Sequence, residues 1–312
     1  MTGNRPAEPF PHTRGMRLIR AVFHGGLACA AALTMGGCTG APDTAKRDHP
    51  AIVSLNPCVD AILAEVADPE QILAISHYSR DPRASSMPLA VARQFRATGG
   101  TVEEVMALKP DVVMAGTFMP PATRDGFQRM GIKVEAFAIE HNVGDSLARV
   151  RRIARLAGHP ERGEALVARI ERALDAAAPS PGHRPIATVV WQSGGIVPGH
   201  DALVSDLMRR TGFVSQSAER GLGQADYLPL EEMLSDPPEL ILTAGTPGDG
   251  EDRMLAHPAL DALTGTQRAR FDPGLLYCGG PTIIRAVARL SEVRRERDAA
   301  TAQSPTRKGP VA

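Results

Sequence analysis

Two stretches of the sequence repeat one pattern without a gap. Val102–Met114 aligns residue for residue with Leu230–Leu242, and a Gly-Thr pair follows each copy, at Gly116-Thr117 and Gly245-Thr246. Each copy predicts a short amphipathic helix that begins with two glutamates, then a proline stop and a buried strand. The period is far longer than the roughly 50 residues of the longest solenoid repeats. The duplication therefore predicts two similar α/β lobes, and a cleft between two lobes is a common ligand site.

The composition narrows the classes of partner. The chain has 312 residues, of which 43% are hydrophobic, so it can bury one or two ordinary cores. It carries 35 basic and 35 acidic residues without a basic stripe, and we therefore expect no nucleic-acid partner. Aromatic residues make up only 4% of the chain, so an aromatic side chain in a loop is informative.

The N-terminus has the pattern of an export signal. Two arginines precede the apolar stretch Ala21–Met35, which is too short and interrupted to remain in a bilayer. Gly36-Gly37-Cys38 resembles a bacterial lipobox and predicts that Cys38 is lipidated and anchors the protein to a membrane. An ordinary secretory signal that is cleaved nearby is the alternative. Met16 is the more natural start, which predicts that residues 1–15 are a misassigned extension.

Composition and pattern also divide the chain. Strand and helix patterns alternate, which predicts an α/β fold with mainly parallel sheets. Asn56-Pro57 begins the first helix, Leu275–Tyr277 is predicted as the last strand, and a helix over Glu161–Ala178, roughly 27 Å long, joins the lobes. The predicted segments are a signal (1–38), a tether (39–49), an N-terminal lobe (50–142), a helical bridge (143–180), a C-terminal lobe (181–297) and a disordered tail (298–312).

The predicted strand ends select the candidate ligand contacts. Ligands of parallel sheets lie beyond the carboxyl ends of the strands. Aromatic faces there can stack on a flat ligand, and a guanidinium can meet a carboxylate or phosphate. The residues selected are Asn56, Cys58, Tyr78, Arg80, Thr117, Phe118, Trp191, Gln192, Tyr227, Tyr277 and Cys278.

Two cysteines remain outside the signal and the lipobox. Cys58 and Cys278 each follow a predicted strand, one in each lobe, and we expect both to face the cleft in an oxidising compartment. Three alternatives remain open: a disulfide that clamps the lobes, two free thiols with Cys58 beside a metal centre, and two buried residues without chemistry.

Several segments resemble the helical-backbone class (class III) of substrate-binding proteins of ABC importers. They are Ile52–Pro57, Leu108–Val113, Tyr277–Pro281 and the bridging helix, and the resemblance covers about residues 50–290. It implies two Rossmann-like lobes with mainly parallel sheets, bridged by one long α-helix, with a ligand cleft between them. It also implies a monomer in the periplasm that captures cobalamin or a ferric siderophore for an ABC permease, without an enzymatic activity or a cofactor.

The resemblance further assigns roles to particular residues. The family docks on its permease through one exposed glutamate in each lobe, and the matching positions are Glu103 and Glu231. Glu104 and Glu232 are explained by the helix dipole alone. Tyr78 matches a position at which the family places an aromatic ligand contact.

Other classes of function are less well supported by the sequence. A hydrolase would have to use Ser193, His200 and Asp201, but no nucleophile-elbow motif is present. A protein that binds a bare metal ion, Zn²⁺ or Mn²⁺, would draw its ligands from His77, His141 and His200. A haem-binding transport protein is a further alternative.

Overall fold

Parallel strands and the helices between them build the folded body, as the alternating pattern predicts. The computed structural model describes residues 48–245, 255 and 257–303. The predicted signal, Cys38, most of the tether and Thr246 lie outside the described residues. Within these ranges no helix has both the length and the apolar character needed to cross a membrane.

The N-terminal lobe is built on a five-stranded parallel sheet. Its strands are β1 (Ile52–Ser54), β2 (Ile72–Ser76), β3 (Ala97–Thr98), β4 (Val112–Gly116) and β5 (Lys133–Phe137), and its helices are α1 (Pro57–Val66), α2 (Leu89–Ala92), α3 (Val102–Leu108) and α4 (Pro121–Arg129). The strand order is β3-β2-β1-β4-β5. Asn56 caps α1 as its sequence predicts, because its carboxamide oxygen accepts hydrogen bonds from the Cys58 and Val59 amides at 2.8 and 3.3 Å.

Two helices follow and form the predicted bridge. They are α5 (Val143–Ala157) and α6 (Pro160–Ala177), and α6 occupies the segment for which the long helix is predicted. Asn142 caps α5, and Gly158 ends it in the left-handed conformation (φ 87°) that glycine adopts without strain.

The C-terminal lobe repeats this plan on a four-stranded parallel sheet. Its strands are β6 (Ile186–Gln192), β8 (Phe213–Ser215), β10 (Leu240–Ala244) and β11 (Gln267–Arg270), with a separate antiparallel pair, β7 (Ile196–Val197) and β9 (Asp226–Tyr227). Its helices are α7 (Leu203–Arg210), α8 (Gln216–Glu219), α9 (Leu230–Ser235) and α10 (Pro281–Gln303). The strand order is β11-β10-β6-β8.

The sequence repeat becomes a structural repeat. In each copy a helix (α3 or α9) leads into a strand (β4 or β10) that pairs with the first strand of its lobe (β1 or β6). The aligned acids Asp111 and Glu239 also act alike, because their carboxylates accept hydrogen bonds from the amides of Ala51 and Ala187, near the starts of those first strands. The helix ends differ: Lys109 takes a left-handed conformation (φ 52°) that Pro237, its aligned partner, cannot adopt.

A continuous core joins the two lobes. Buried side chains of α1, α5, α6 and α10 form one hydrophobic cluster with the inner faces of both sheets. Ile62, Val150, Ile170 and Val287 represent the four helices in this cluster, and none is more than 1% exposed. The lobes are therefore joined by a layer of four packed helices, of which the bridge helices α5 and α6 are two. Because apolar surface is buried across this layer, a large hinge motion between the lobes is opposed.

Two boundary predictions are wrong. Leu275–Tyr277, predicted as the last strand, is a 3-10 turn and loop, and the last strand is the polar edge strand β11. Alternate residues of an edge strand face solvent, so Gln267–Arg270 lacks the apolar run used to find strands. The last helix also continues to Gln303, through the first residues of the predicted tail.

The segment before α10 ties the C-terminal part of the chain to the N-terminal lobe. Cys278 forms a disulfide with Cys58 at the start of α1, with 5.0 Å between the Cα atoms. Of the three alternatives for these cysteines, the structure contains the disulfide. The residues that follow Cys278 also bond to the N-terminal lobe, since the Thr282 hydroxyl donates a hydrogen bond to the Ser86 carbonyl at 3.0 Å.

Two glycine amides complete this tie. Gly279 donates to the buried carboxylate of Glu140 at 2.8 Å, and Gly280 donates to the Ser146 hydroxyl at 2.7 Å. A Cβ on Gly279 would lie 2.1 Å from the Ser146 oxygen, so only glycine fits. Burial raises the pKa of Glu140, and Arg149, whose Nε lies 3.3 Å from the carboxylate, opposes that shift.

We expect the variant Cys58→Ser/Cys278→Ser to be less stable by about 2–5 kcal/mol, because the disulfide closes a long loop in the unfolded chain. The two cysteines are 220 positions apart in the sequence. Urea unfolding measures the difference, which should disappear under a reducing agent because the wild type then also lacks the disulfide. Equal midpoints for the wild type and the double variant would contradict the prediction.

Candidate functional site

Exposed aromatic side chains gather at the carboxyl ends of the strands in both lobes. Tyr78 follows β2, Phe118 follows β4, Tyr227 lies on β9 and Tyr277 precedes α10. All are more than half exposed, and Phe118 is 79% exposed. Among described residues, large apolar side chains elsewhere are mostly buried, so this exposure marks a surface that a ligand or partner can cover.

The tie between the lobes also brings the two strand edges together. Cys58, just beyond the end of β1, bonds to Cys278, while the hydroxyl of the neighbouring Tyr277 donates a hydrogen bond to the side chain of Gln192 at the end of β6. The dipeptide Tyr277-Cys278 therefore contacts the strand ends of both sheets. Four of the predicted ligand contacts, Cys58, Gln192, Tyr277 and Cys278, lie together here.

Tyr78 is held out from the N-terminal lobe by a short 3-10 turn, His77–Arg80. The Ser76 side chain caps the turn by accepting from the Tyr78 amide at 3.4 Å. His77 lies against Tyr78, with 4.0 Å between ring centroids, and its Nδ1 is 3.3 Å from the Thr98 carbonyl. The tyrosine ring is therefore positioned by local contacts while more than half of its surface remains exposed.

Asp60 supports this turn from within the core and is a residue that the sequence analysis missed. Its carboxylate accepts hydrogen bonds from the Ser79 hydroxyl at 2.6 Å and from the Ser76 amide at 3.0 Å. The side chain is fully buried, and burial raises its pKa to about 7 although these hydrogen bonds act in the opposite direction. The available signal was one aspartate among the apolar residues Val59 and Ala61–Leu63.

Phe118 and Thr117 occupy the turn after β4. The Thr117 amide donates to the Phe137 carbonyl at 3.0 Å, which fixes the turn to the end of β5. Gly116 lies against the carboxamide of Asn56, and a Cβ at this position would be 3.0 Å from the Asn56 nitrogen. The ends of β1 and β4 therefore approach closely, and both Phe118 and Thr117 remain exposed.

Tyr227 and Ile196 form the exposed part of the C-terminal lobe's edge. They are paired residues of the antiparallel strands β7 and β9. The Tyr227 ring lies over Gly195, where a Cβ would be only 2.9 Å from a ring carbon, so glycine leaves the space that the ring occupies. This pair adds an apolar surface to the aromatic edge of the lobe.

Trp191 is not at the site, and its prediction as a ligand contact is wrong. It is fully buried in a cluster with Val189 and Met233. The apolar run Ile186–Val190 predicts a strand that ends before Trp191, but β6 continues to Gln192. The alternation of side chains along this strand turns Trp191 into the core and Gln192 to the opposite face.

Two further predicted contacts are engaged by the protein itself. The oxygen of Asn56 is used in capping α1, and the guanidinium of Arg80 donates to the Phe95 carbonyl. Their contact with a ligand remains a prediction, and for each it would require the present hydrogen bond to be shared or broken.

The residues of the rival hypotheses do not form the expected sites. His200 pairs with Asp201 at 3.2 Å, but its Nδ1 lies 2.7 Å from the Leu222 carbonyl, and the contacts of the described residues include no hydrogen bond to Ser193. His77, His141 and His200 each lie against a backbone carbonyl. Within the described part of the chain, they belong to no cluster of metal-ligating side chains.

Comparison with known proteins identifies the family. Residues 52–271, more than half of the chain, match the family described as periplasmic binding protein. The chain belongs to this family, and its solved structural neighbours are the two-lobed, class III members that the sequence resemblance indicates. A search of curated proteins finds no match.

The similar solved structures share the fold at low sequence identity. The apo haem-binding protein RhuT of Roseiflexus sp. RS-1 superposes with a TM-score of 0.63 at 18% identity, covering 78% of this chain and 97% of that protein. The vitamin B12-binding protein BtuF of Vibrio cholerae gives 0.61 at 17% identity and coverages of 80% and 98%. Helicobacter pylori CeuE with bound Ni(II) gives 0.64 at 17% identity and coverages of 82% and 87%.

Family membership fixes the general function. The chain is a substrate-binding protein of the ABC-importer type that works outside the cytoplasm, with a small-molecule ligand and a permease as its partners. The prediction that it is a binding protein rather than an enzyme is confirmed.

We expect Asp60→Asn to reduce the pH dependence of stability. Since the folded pKa is about 7 and the unfolded value is 3.8, the stabilisation from protonated Asp60 is complete below pH 3.8 and is lost as the pH rises to 7. Between pH 5 and pH 8 the wild type should lose roughly 2–3 kcal/mol more than the variant.

Urea unfolding at the two pH values checks this difference. Asp125→Asn, at an exposed aspartate of α4, is the matched control and should follow the wild type. If Asp60→Asn lost as much stability as the wild type over this range, Asp60 would be ionised in the folded protein at both pH values.

Proposed function

We propose that the protein captures a large metal chelate, a corrinoid such as cobalamin or a ferric siderophore, and delivers it to its permease. The supporting observation is the set of exposed aromatic rings at the strand ends of both lobes. Corrin rings and siderophore catechols present flat or apolar faces, which aromatic side chains bind by stacking and by burial of apolar surface.

Haem is a second candidate, and Tyr78 is the observation that favours it. Its phenol ring is exposed on a turn braced by Asp60 and His77, and a tyrosine can serve as an axial ligand of haem iron. The similar structures include haem-binding as well as B12-binding proteins. The three ligand classes are all metal chelates with apolar or aromatic faces, so binding measurements must separate them.

We further propose that the protein is a monomer attached to the membrane through lipidated Cys38. The support is the lipobox pattern that ends at this cysteine and the polar, proline-containing segment that follows it. Such a tether would leave the body free to reach the permease.

Glu103 and Glu231 are proposed to dock the two lobes on the permease. Both are exposed, both lie in the first turn of equivalent helices, and the described contacts give neither an ion pair. Glu104 differs, since its carboxylate accepts from the Thr98 hydroxyl and the Gly99 amide, both at 2.8 Å, which gives it a local structural role. Two unpaired carboxylates at equivalent places of two lobes favour a two-point electrostatic contact.

We expect the purified protein to bind one of cyanocobalamin, a ferric catecholate siderophore or hemin with a one-to-one stoichiometry, tighter than roughly 1 μM, or about −8 kcal/mol. Phe118→Ala should weaken this binding by about tenfold, because it removes an exposed aromatic surface. Calorimetric titration measures both. Met130→Ala removes an exposed apolar residue at the end of α4 and is the matched control.

The three ligands give distinct outcomes. Binding of hemin alone, with a change in its visible absorption that Tyr78→Phe abolishes, would select haem. Absence of binding by all three at 100 μM-scale concentration, or equal affinities of Phe118→Ala and the wild type, would contradict the proposed site.

We expect Glu103→Lys/Glu231→Lys to abolish transport while ligand affinity stays within about twofold, because the reversed charges lie on docking helices and not at the strand ends. Ligand uptake by membrane vesicles that contain the permease measures the effect. Glu171→Lys/Asp175→Lys on α6 changes the net charge equally and should leave uptake intact. Undiminished uptake by the first variant would exclude the docking role.

A further inference from the structure

Three metal-ligating side chains converge at the edge of the N-terminal lobe away from the cleft. His49 precedes β1, Asp68 follows the end of α1, and His159 lies between α5 and α6. The strand β1 begins at this edge and α1 ends there, whereas the ligand contacts Asn56 and Cys58 lie at the other end of both elements. This cluster is therefore separate from the candidate ligand site.

The donor atoms are close enough to share one ion. The Nε2 atom of His159 lies 3.3 Å from Oδ2 of Asp68, and the rings of His49 and His159 have centroids 4.2 Å apart. One donor atom from each of the three residues lies within 4.8 Å of the others. Gly158 makes this approach feasible, because a Cβ there would lie 2.3 Å from Nδ1 of His49.

The surrounding contacts orient two of these ligands. Arg162 binds the other carboxylate oxygen of Asp68, Oδ1, at 2.8 Å and leaves Oδ2 directed toward the histidines. Gln71 lies 2.8 Å from Nε2 of His159, while its nitrogen is fixed by the Ala157 carbonyl at 2.9 Å. The Arg162 contact is of the kind that holds metal ligands in place in known sites. The Gln71 contact orients the His159 ring, but it uses the nitrogen that an ion would bind and would be replaced by that ion.

A purely structural hydrogen-bond network explains part of this arrangement. The Nε2–H of buried His159 can donate to Gln71 or Asp68, and the oxygen of Gln71 also accepts from the Asp68 amide at 2.9 Å. This network does not explain the position of His49. Its half-buried ring lies against His159, although no hydrogen bond to the ring is found among the described residues. If an ion replaced the proton on His159, Gln71 would still keep its bond from the Asp68 amide.

We propose that His49, Asp68 and His159 bind a divalent transition-metal ion such as Zn²⁺, with water completing the coordination. Two imidazoles and one carboxylate are a common ligand set for Zn²⁺ and similar ions. The ion would link His49, at the end of the predicted tether, to His159, which directly precedes the bridge helix α6. It is a structural ion and not the transported ligand, because it lies at the opposite edge from the cleft.

Zinc titration of the full-length chain at pH 7.5 tests this site. The wild type should bind one Zn²⁺, and His49→Ala should lower the affinity at least tenfold without a change in far-UV circular dichroism. His200→Ala, which removes an exposed histidine outside the cluster, is the matched control and should bind as the wild type does. Zinc should raise the thermal midpoint of the wild type and of His200→Ala but not that of His49→Ala.

A second variant and a second ion make the test independent of any one substitution. Asp68→Asn should also weaken zinc binding, and the visible absorption of bound Co²⁺ should be lost in both cluster variants. Equal zinc affinity in the wild type and His49→Ala, loss of binding in His200→Ala alone, or absence of binding by the wild type would overturn the proposal.

Discussion

The approach of the strand ends of the two lobes depends on the contacts of the segment Tyr277–Gly280. Cys278 is bonded covalently to Cys58, and the next two amides are bound by Glu140 and Ser146. Because Tyr277 also contacts Gln192, one short segment sets the distance between the strand ends of the two sheets. Together with the shared core of four helices, these contacts make the two lobes one body. Lobes held in this way lose less conformational entropy when a ligand binds between them.

Local signals in the sequence predicted much of the fold. Asn56-Pro57 placed the start of α1 correctly, since capping depends only on neighbouring residues. The repeat predicted α3 and α9 with the strands after them, because both copies keep the same spacing between helix, proline and strand. In each case the information lay within a few residues of the element.

The failures arose where tertiary contacts decide the structure. Trp191 lies one residue past the predicted end of a strand, and only pairing with β10 extends that strand and turns the ring inward. The strand β11 is polar, and it forms because it pairs with the free edge of β10. Asp60 contacts residues 16 and 19 positions away, so its support of the Tyr78 turn has no local pattern. The candidate ligand contacts were predicted by topology, through the rule for parallel strand ends, and their exposure came only from the fold.

Amide hydrogen exchange of Gly279 and Gly280 in the ligand-free, oxidised protein tests most directly whether the lobes are held as one body. Both amides are buried and bonded across the segment that ties them. The account predicts that they exchange as slowly as the amides of the shared core, through unfolding of the whole body, and that ligand adds little protection. Exchange as fast as that of exposed loops would show that the segment opens freely, and the lobes would then move independently.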